Sequence, residues 1–304
     1  MSAPPADAVY TWIASHHRRL AGLRGQGVVV KVGGSIQDDP GQMRAVMRDV
    51  AALASLGSKP VVIHGGGKAI TAAMNAAGLV ARFVDGQRYT DDATLRIVER
   101  VLVEEVNREL VEHLREEGCA ARGLHPASNC VVEAERIGAG GAPGQGADLG
   151  LVGRVTRVNV PVILGVCEAG EVPVIAPVAF EASHAPHAGR EPRPRLNVNA
   201  DVAAGTIAAA LHPSMFVLVS DTPGVRATGD TYPQRLTRAD AHDLITRGVI
   251  AGGMLPKIRS CFEALDAGVR HVAILDGRAS GALLGAAITR AAQPIVGTWI
   301  GDAT

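Results

Sequence analysis

A valine run that ends in a lysine and two glycines, Val28-Val29-Val30-Lys31-Val32-Gly33-Gly34, constrains this chain more than any other feature. Such a β-branched run reads as a buried strand, and glycines directly after it let backbone N–H groups approach an anion with no Cβ in the way. A lysine beside them adds a point charge. Related junctions recur at His64-Gly65-Gly66-Gly67, Asn197-Val198-Asn199-Ala200-Asp201 and Gly252-Gly253-Met254-Leu255-Pro256-Lys257. Two lysines set among such loops suggest phosphoryl transfer.

Further β-branched runs at 60–64, 172–176, 215–220 and 271–275 read as buried strands separated by amphipathic stretches. This alternation predicts an α/β fold, a mostly parallel sheet with helices on both faces and ligands at the carboxyl ends of the strands. The clearest helix begins after Thr90, read as its N-cap, carries Asp91 and Asp92 in its first turn, and runs to about Glu117. Other helices are expected over 69–76 and 202–211. From about Cys130 to Val158 two extended runs flank the glycine-rich stretch 137–146. That pattern is a hairpin with a mobile tip rather than a dinucleotide fingerprint, because no helix follows it. The proline- and arginine-rich stretch 181–195 reads as a surface excursion, with His184 and His187 solvated rather than metal-bound. Residues 1–24 form an N-terminal helical extension whose apolar Val9, Ile13, Leu20 and Leu23 suit packing or an oligomer contact. The remainder, 25–304, reads as a single domain.

Thirty basic and thirty acidic side chains cancel, so the overall field favours neither nucleic acid nor an anionic membrane. No apolar run approaches the roughly 18 residues that span a bilayer, and the start lacks a signal-peptide core, so the chain reads as cytoplasmic. Cys119, Cys130, Cys167 and Cys261 are too widely spaced for a zinc site and read as buried, reduced thiols.

Lys31 within a central strand needs an anion, because burying an unpaired ammonium is costly; at a sheet edge it would instead snorkel to water. The triple glycine at 65–67 is not the common phosphate loop, since the glycine-to-lysine spacing is wrong. It either holds an oxyanion at a helix N-terminus or is merely a tight turn. Arg88, just before a helix start, is placed to grip a carboxylate, or is a surface residue. Asn197, Asn199 and Asp201 alternate along an extended approach to a helix, where capping accounts for one of them. Lys257 follows two glycines at another helix start, and Ser220-Asp221-Thr222-Pro223-Gly224-Val225 is a turn suited to bordering a nucleotide.

Taken in order, His64-Gly65-Gly66-Gly67, Arg88-Tyr89-Thr90-Asp91, Asn197 to Asp201, Gly252 to Lys257 and Asp276-Gly277-Arg278 resemble the amino acid kinase family over about residues 20–300. The resemblance is greatest to members that phosphorylate N-acetyl-L-glutamate. It implies an open sheet of about eight strands sandwiched between helical layers, with the acceptor held by residues 25–195 and ATP by residues 196–304. It further implies that Lys31 and Lys257 stabilise the transferring phosphoryl group while Asp201 holds both, and that Gly66, Gly67, Arg88 and Asn197 bind the acceptor. Gly33 and Gly34 would meet the phosphates, and Ser220, Asp221, Gly224, Val249 and Ala251 would border the nucleotide. Mg2+ would accompany ATP, held by phosphates and water, with no protein metal ligand. The family also implies a homo-oligomer, a dimer or a hexamer joined through the N-terminal helix. Arginine-inhibited members carry a histidine and a glutamate after the Asp-Gly-Arg motif, where this chain has Gly281 and Ala286, so weak or absent arginine feedback is expected. The run Gly123-Leu124-His125-Pro126-Ala127-Ser128 departs from the usual glycine-leucine-serine-glycine near the acceptor, and 181–195 is longer than usual. A kinase of acetylated or carrier-linked aminoadipate and a non-catalytic regulatory module remain open alternatives.

Overall fold

A computed structural model describes residues 6–302 apart from 35, 37, 38, 85, 127, 129, 130, 139–147, 183–192 and 290–293. Cys130, His184, His187 and most of the expected hairpin tip therefore lie outside the described residues. In chain order, α1 (Ala6–Ala21), β1 (Gly27–Val32), α2 (Pro40–Ser55), β2 (Lys59–His64) and α3 (Gly67–Ala76) precede a short hairpin of β3 (Phe83–Val84) and β4 (Gln87–Arg88). A three-part helix follows: α4 (Asp92–Glu99), a π-helical segment (Arg100–Asn107) and α5 (Arg108–Glu116). Next come β5 (Ala121–Leu124), β6 (Val132–Arg136), β7 (Val152–Val158), α6 (Val160–Glu168), β8 (Val172–Ile175), β9 (Val178–Glu181), β10 (Arg195–Val198) and α7 (Ala200–Leu211). The chain closes with β11 (Met215–Ser220), β12 (Arg235–Leu236), α8 (Arg238–Thr246), α9 (Met254–Asp266), β13 (His271–Asp276), α10 (Ala282–Thr289) and β14 (Gly297–Ile300).

The main sheet has eight strands in the order β12-β14-β13-β11-β1-β2-β8-β5. The central neighbours are parallel, and β14 pairs antiparallel with β13. The expected hairpin is present as β6 against β7, in a separate group with β9 and β10. Strand β1 sits between β11 and β2, and alternation of side chains decides where its residues point. Val28, Val30 and Val32 enter the core that contains Met47, Leu53 and Leu110 of α2 and α5. Val29 enters the opposite core, with Ala203, Ala204, Ile207 and Ala208 of α7 and Ile258 of α9. Lys31, two residues beyond Val29, points to that second face and is 4% exposed, so it is a central-strand lysine and not one at an edge.

Three helix starts differ from expectation, and α3 begins at Gly67, two residues early. Asp91 and not Thr90 caps α4, its carboxylate accepting the Thr94 N–H at 2.8 Å. Thr90 is held in extended pairing with the chain at Leu149 and Leu151 and its side chain faces inward. Helix α7 begins at Ala200, two residues early, because Asn199 caps it by accepting from the Asp201 and Val202 N–H groups. Among the cysteines, Cys261 is buried whereas Cys119 and Cys167 are only half-buried, since both lie near the ends of surface helices.

Candidate active site

The carboxyl ends of β1, β2 and β11 open along one edge of the sheet, and α3 and α7 begin there. Asp201, in the first turn of α7, projects over β1. Its Oδ1 lies 2.7 Å from Lys31 Nζ and its Oδ2 lies 2.9 Å from Lys257 Nζ. Two ammoniums and one carboxylate leave one net positive charge. Burial alone would raise the Asp201 carboxyl, but the two lysines outweigh it and hold it below the usual carboxylate range. Burial pushes the Lys31 ammonium down, against the pull of Asp201.

Lys257 reaches Asp201 because α9 and α7 pack closely. A Cβ on Gly205 of α7 would stand 2.8 Å from Ser260 Cβ of α9, so only glycine permits this approach. Ser260 fixes the contact by donating its hydroxyl to the Asp201 carbonyl at 2.7 Å.

Beside Lys31 lies a cavity of about 240 Å³, lined by Gly65, Gly66, Gly67, Arg88, Asn197 and Asp201, with Ile70, Phe83 and Leu102 among its apolar walls. Gly66 and Gly67 open α3, where backbone N–H groups have no intrahelical acceptor. A Cβ on Gly34 would stand 3.3 Å from both the Gly66 and Gly67 nitrogens, so three glycine backbones converge on one spot. That convergence has the shape of an anion cradle at a helix N-terminus.

Arg88 is buried, donates to the Gly67 carbonyl at 2.9 Å and to Thr71 Oγ1 at 2.7 Å, and lies over the Phe83 ring. Among the described residues no carboxylate pairs with it. A guanidinium held this way at the wall of a cavity has the geometry to meet a carboxylate. Asn197 donates to Thr90 Oγ1 at 3.1 Å, and Thr90 in turn donates to the Arg88 carbonyl at 3.1 Å, tying the two polar walls together.

The residues expected at the nucleotide are more dispersed. Ser220 ends β11 and is buried, Asp221 lies within electrostatic reach of Lys31 and Arg278, and Ala251 is exposed before α9. The N–H of Val249 donates to the Leu244 carbonyl at 2.9 Å. Gly224 packs on β14, where a Cβ would meet Thr298 Oγ1 at 2.5 Å, so strand packing accounts for this glycine. Gly33 is a correction: its N–H donates to the Val219 carbonyl at 2.9 Å, continuing the β1–β11 ladder, and is not available to a phosphate. Gly34 takes its place in the cradle.

Sequence reasoning missed Thr90 as a partner of Asn197, Ser260 as the clamp on Asp201, and the buried pair His64 and Asn107 behind the triple glycine. Asn107 did leave a signal: it stands four residues after Val103 and three and four before Leu110 and Val111, where amphipathic spacing calls for an apolar side chain.

The profile of the amino acid kinase family matches residues 26–276. An acetylglutamate kinase of Symbiobacterium thermophilum is 39% identical over 264 residues, covering 86% of this chain and 87% of that protein. One from Synechococcus sp. strain WH7803 is 40% identical over 270 residues, covering 88% and 86%. The crystal structure of smu.665 from Streptococcus mutans UA159 matches with a TM-score of 0.73 at 26% identity, covering 90% of this chain and 98% of that one.

Proposed function

Because this chain belongs to the amino acid kinase family, we infer that it is an enzyme transferring the γ-phosphoryl group of ATP to the side-chain carboxylate of N-acetyl-L-glutamate, in arginine biosynthesis. The observation that carries the reading is the bridge from Lys31 through Asp201 to Lys257 beside a cavity that also presents Arg88 and the glycine cradle.

The chemistry needs little else. A side-chain carboxylate with a pKa of about 4.3 is ionised at neutral pH and attacks the γ-phosphorus without a general base. One O–P bond forms, the bond from the γ-phosphorus to the bridging oxygen breaks, and ADP leaves with that electron pair. Lys31 and Lys257 are the catalytic cations that meet the charge on the transferring group, and Asp201 holds both at a fixed spacing. Gly34, Gly66 and Gly67 offer N–H groups to the anions, while Arg88 and Asn197 grip the acceptor. Ser220, Asp221, Gly224, Val249 and Ala251 border the nucleotide. ATP would enter as its magnesium complex, the cation supplying charge neutralisation on the phosphates and being held by them and by water rather than by a protein side chain.

On this reading residues 25–195 hold the acceptor and residues 196–304 hold ATP, with Asn197 and Asp201 reaching across the division, in a cytoplasmic enzyme. The exposed Val9, Tyr10 and Ile13 of α1 suit a contact with a second copy, as a dimer or a hexamer joined through that helix.

The test is ATP-dependent acyl-phosphate formation trapped with hydroxylamine, on N-acetylglutamate, glutamate and acetylaminoadipate in parallel. Turnover is expected on N-acetylglutamate, at least about tenfold above the longer acceptor, since one methylene is worth about 1 to 3 kcal/mol. Equal or greater turnover on acetylaminoadipate would reassign the acceptor, and no turnover with ATP still bound would leave a regulatory module.

A further inference from the structure

The triple-glycine loop is braced from behind by two buried polar residues. His64 ends β2 and is 0% exposed; Asn107 ends the π-helical segment and is 2% exposed. His64 Nδ1 lies 2.9 Å from the Gly65 carbonyl oxygen, and His64 Nε2 lies 3.1 Å from Asn107 Nδ2. A carbonyl only accepts, so Nδ1 carries the proton, and Nε2 accepts from the Asn107 amide. That amide also donates to the Val174 carbonyl of β8 at 2.9 Å, which fixes its orientation. Burial pulls the imidazole down to about 4, so the ring stays neutral and this tautomer holds at neutral pH. Gly123 of β5 supplies the space, because a Cβ there would occupy the position of Asn107 Oδ1.

The π-helical segment delivers both of its contacts to the loop. Leu102 covers Gly66 so closely that a Cβ on Gly66 would stand 2.5 Å from Leu102 Cδ2. Asn107, five residues further on, holds His64. A helix closed by i→i+5 bonds turns residues five apart towards one side, whereas α-helical winding swings them well apart.

We propose that Asn107 and His64 are positioning residues for phosphoryl transfer: through the Gly65 carbonyl they fix the 65–67 backbone so that the Gly66 and Gly67 N–H groups face the acceptor. The π-helical segment is the device that brings Asn107 within reach. Neither side chain lines the acceptor cavity, so both act through the loop. The proposal rests on the acceptor reading given above.

The test is steady-state kinetics of the full chain with N-acetylglutamate and ATP, alongside calorimetry of ADP binding, for Asn107→Leu, His64→Leu and His64→Asn. Both leucine variants are expected to lose about tenfold to a hundredfold in kcat, the scale of a misplaced catalytic group, with KM for ATP and ADP affinity within about twofold of the parent. His64→Asn keeps a donor for the Gly65 carbonyl but is too short to meet Asn107 as well, so its kcat should lie about threefold to tenfold below the parent and above that of His64→Leu. Should the leucine variants fail to fold, a fall of about threefold or more in kcat for His64→Asn, at unchanged KM for ATP, supports the positioning role, and parent-like kcat in that variant overturns it. Parent-like kcat in folded leucine variants, parallel loss of ADP binding, or no advantage of asparagine over leucine would overturn the positioning role alone. An inactive parent would remove the acceptor reading and this proposal with it.

Discussion

Lys257 meets Asp201 through one 2.9 Å contact and is only partly buried, so its removal leaves the Lys31–Asp201 pair intact and the core unperturbed. Lys257→Ala should lower kcat by at least about a hundredfold while the thermal midpoint moves little; near-normal turnover would exclude Lys257 from the mechanism. His64 makes a second residue-scale prediction. Its pKa is about 4 in the folded state against an unfolded value of 6.5, so between those pH values the unfolded chain binds the extra proton. Its contribution is therefore intact above pH 6.5 and lost as pH falls towards about 4, by up to about 3 kcal/mol. His125, lowered by burial and by Arg195, contributes with the same sign. Urea titrations at pH 7 and pH 4.5 should show this loss, and His64→Asn should have a flatter dependence; identical slopes in parent and variant would refute the assignment.

At the scale of elements, the site depends on how closely helices approach. Asp201 rides on α7 and Lys257 on α9, and Gly205 against Ser260 sets the gap between those helices. Gly205→Ala should cost about 1 to 3 kcal/mol by overpacking and should lower kcat as well, because parting the helices lengthens the Lys257–Asp201 contact. Unfolding measurements paired with kcat decide it, and a stabilised, fully active variant would show that the helices can part without consequence. The π-helical segment shows why some of the site was hidden in the sequence. Apolar spacing over 98–111 reads as one continuous α-helix, and a 3.6-residue period cannot reveal that Leu102 and Asn107 face the same loop. Thr90 is similar, since its sequence context suits a cap and only the pairing with Leu149 and Leu151 turns it inward.

For the whole molecule, two predictions concern regulation and assembly. Gly281 and Ala286 line a small cleft of about 160 Å³ with Ser280, Gly285, Thr289 and Ile295, and among the described residues no acidic side chain lines it. Asp49 of α2 already occupies the start of α10, accepting from the Leu283 and Leu284 N–H groups at 3.1 and 3.2 Å. A guanidinium entering the cleft finds no carboxylate, a loss of about 1.5 to 3 kcal/mol for a charge-assisted bond. Calorimetry with millimolar arginine should give no binding signal and kcat should not change; tight binding would restore feedback control. Removing residues 1–21 should lower the mass of the assembly seen by light scattering, because Val9, Tyr10 and Ile13 leave with α1. An unchanged mass would place the subunit contact elsewhere.

The sequence by itself determined the alternation of strands and helices, a buried strand bearing Lys31, and the glycine junctions, because β-branched runs and missing Cβ atoms are local properties. Parity along β1 even fixed Lys31 on the face opposite Val28, Val30 and Val32. What the tertiary structure decided was partnership. Lys31, Asp201 and Lys257 are 170 and 56 residues apart in sequence, yet one carboxylate bridges both ammoniums. The same holds for Gly33, whose N–H the neighbouring strand claims, and for Gly224, which packing against β14 requires. Hydrogen bonds and close contacts between distant segments depend on which strands are neighbours and how near the helices come, and no local pattern encodes either distance.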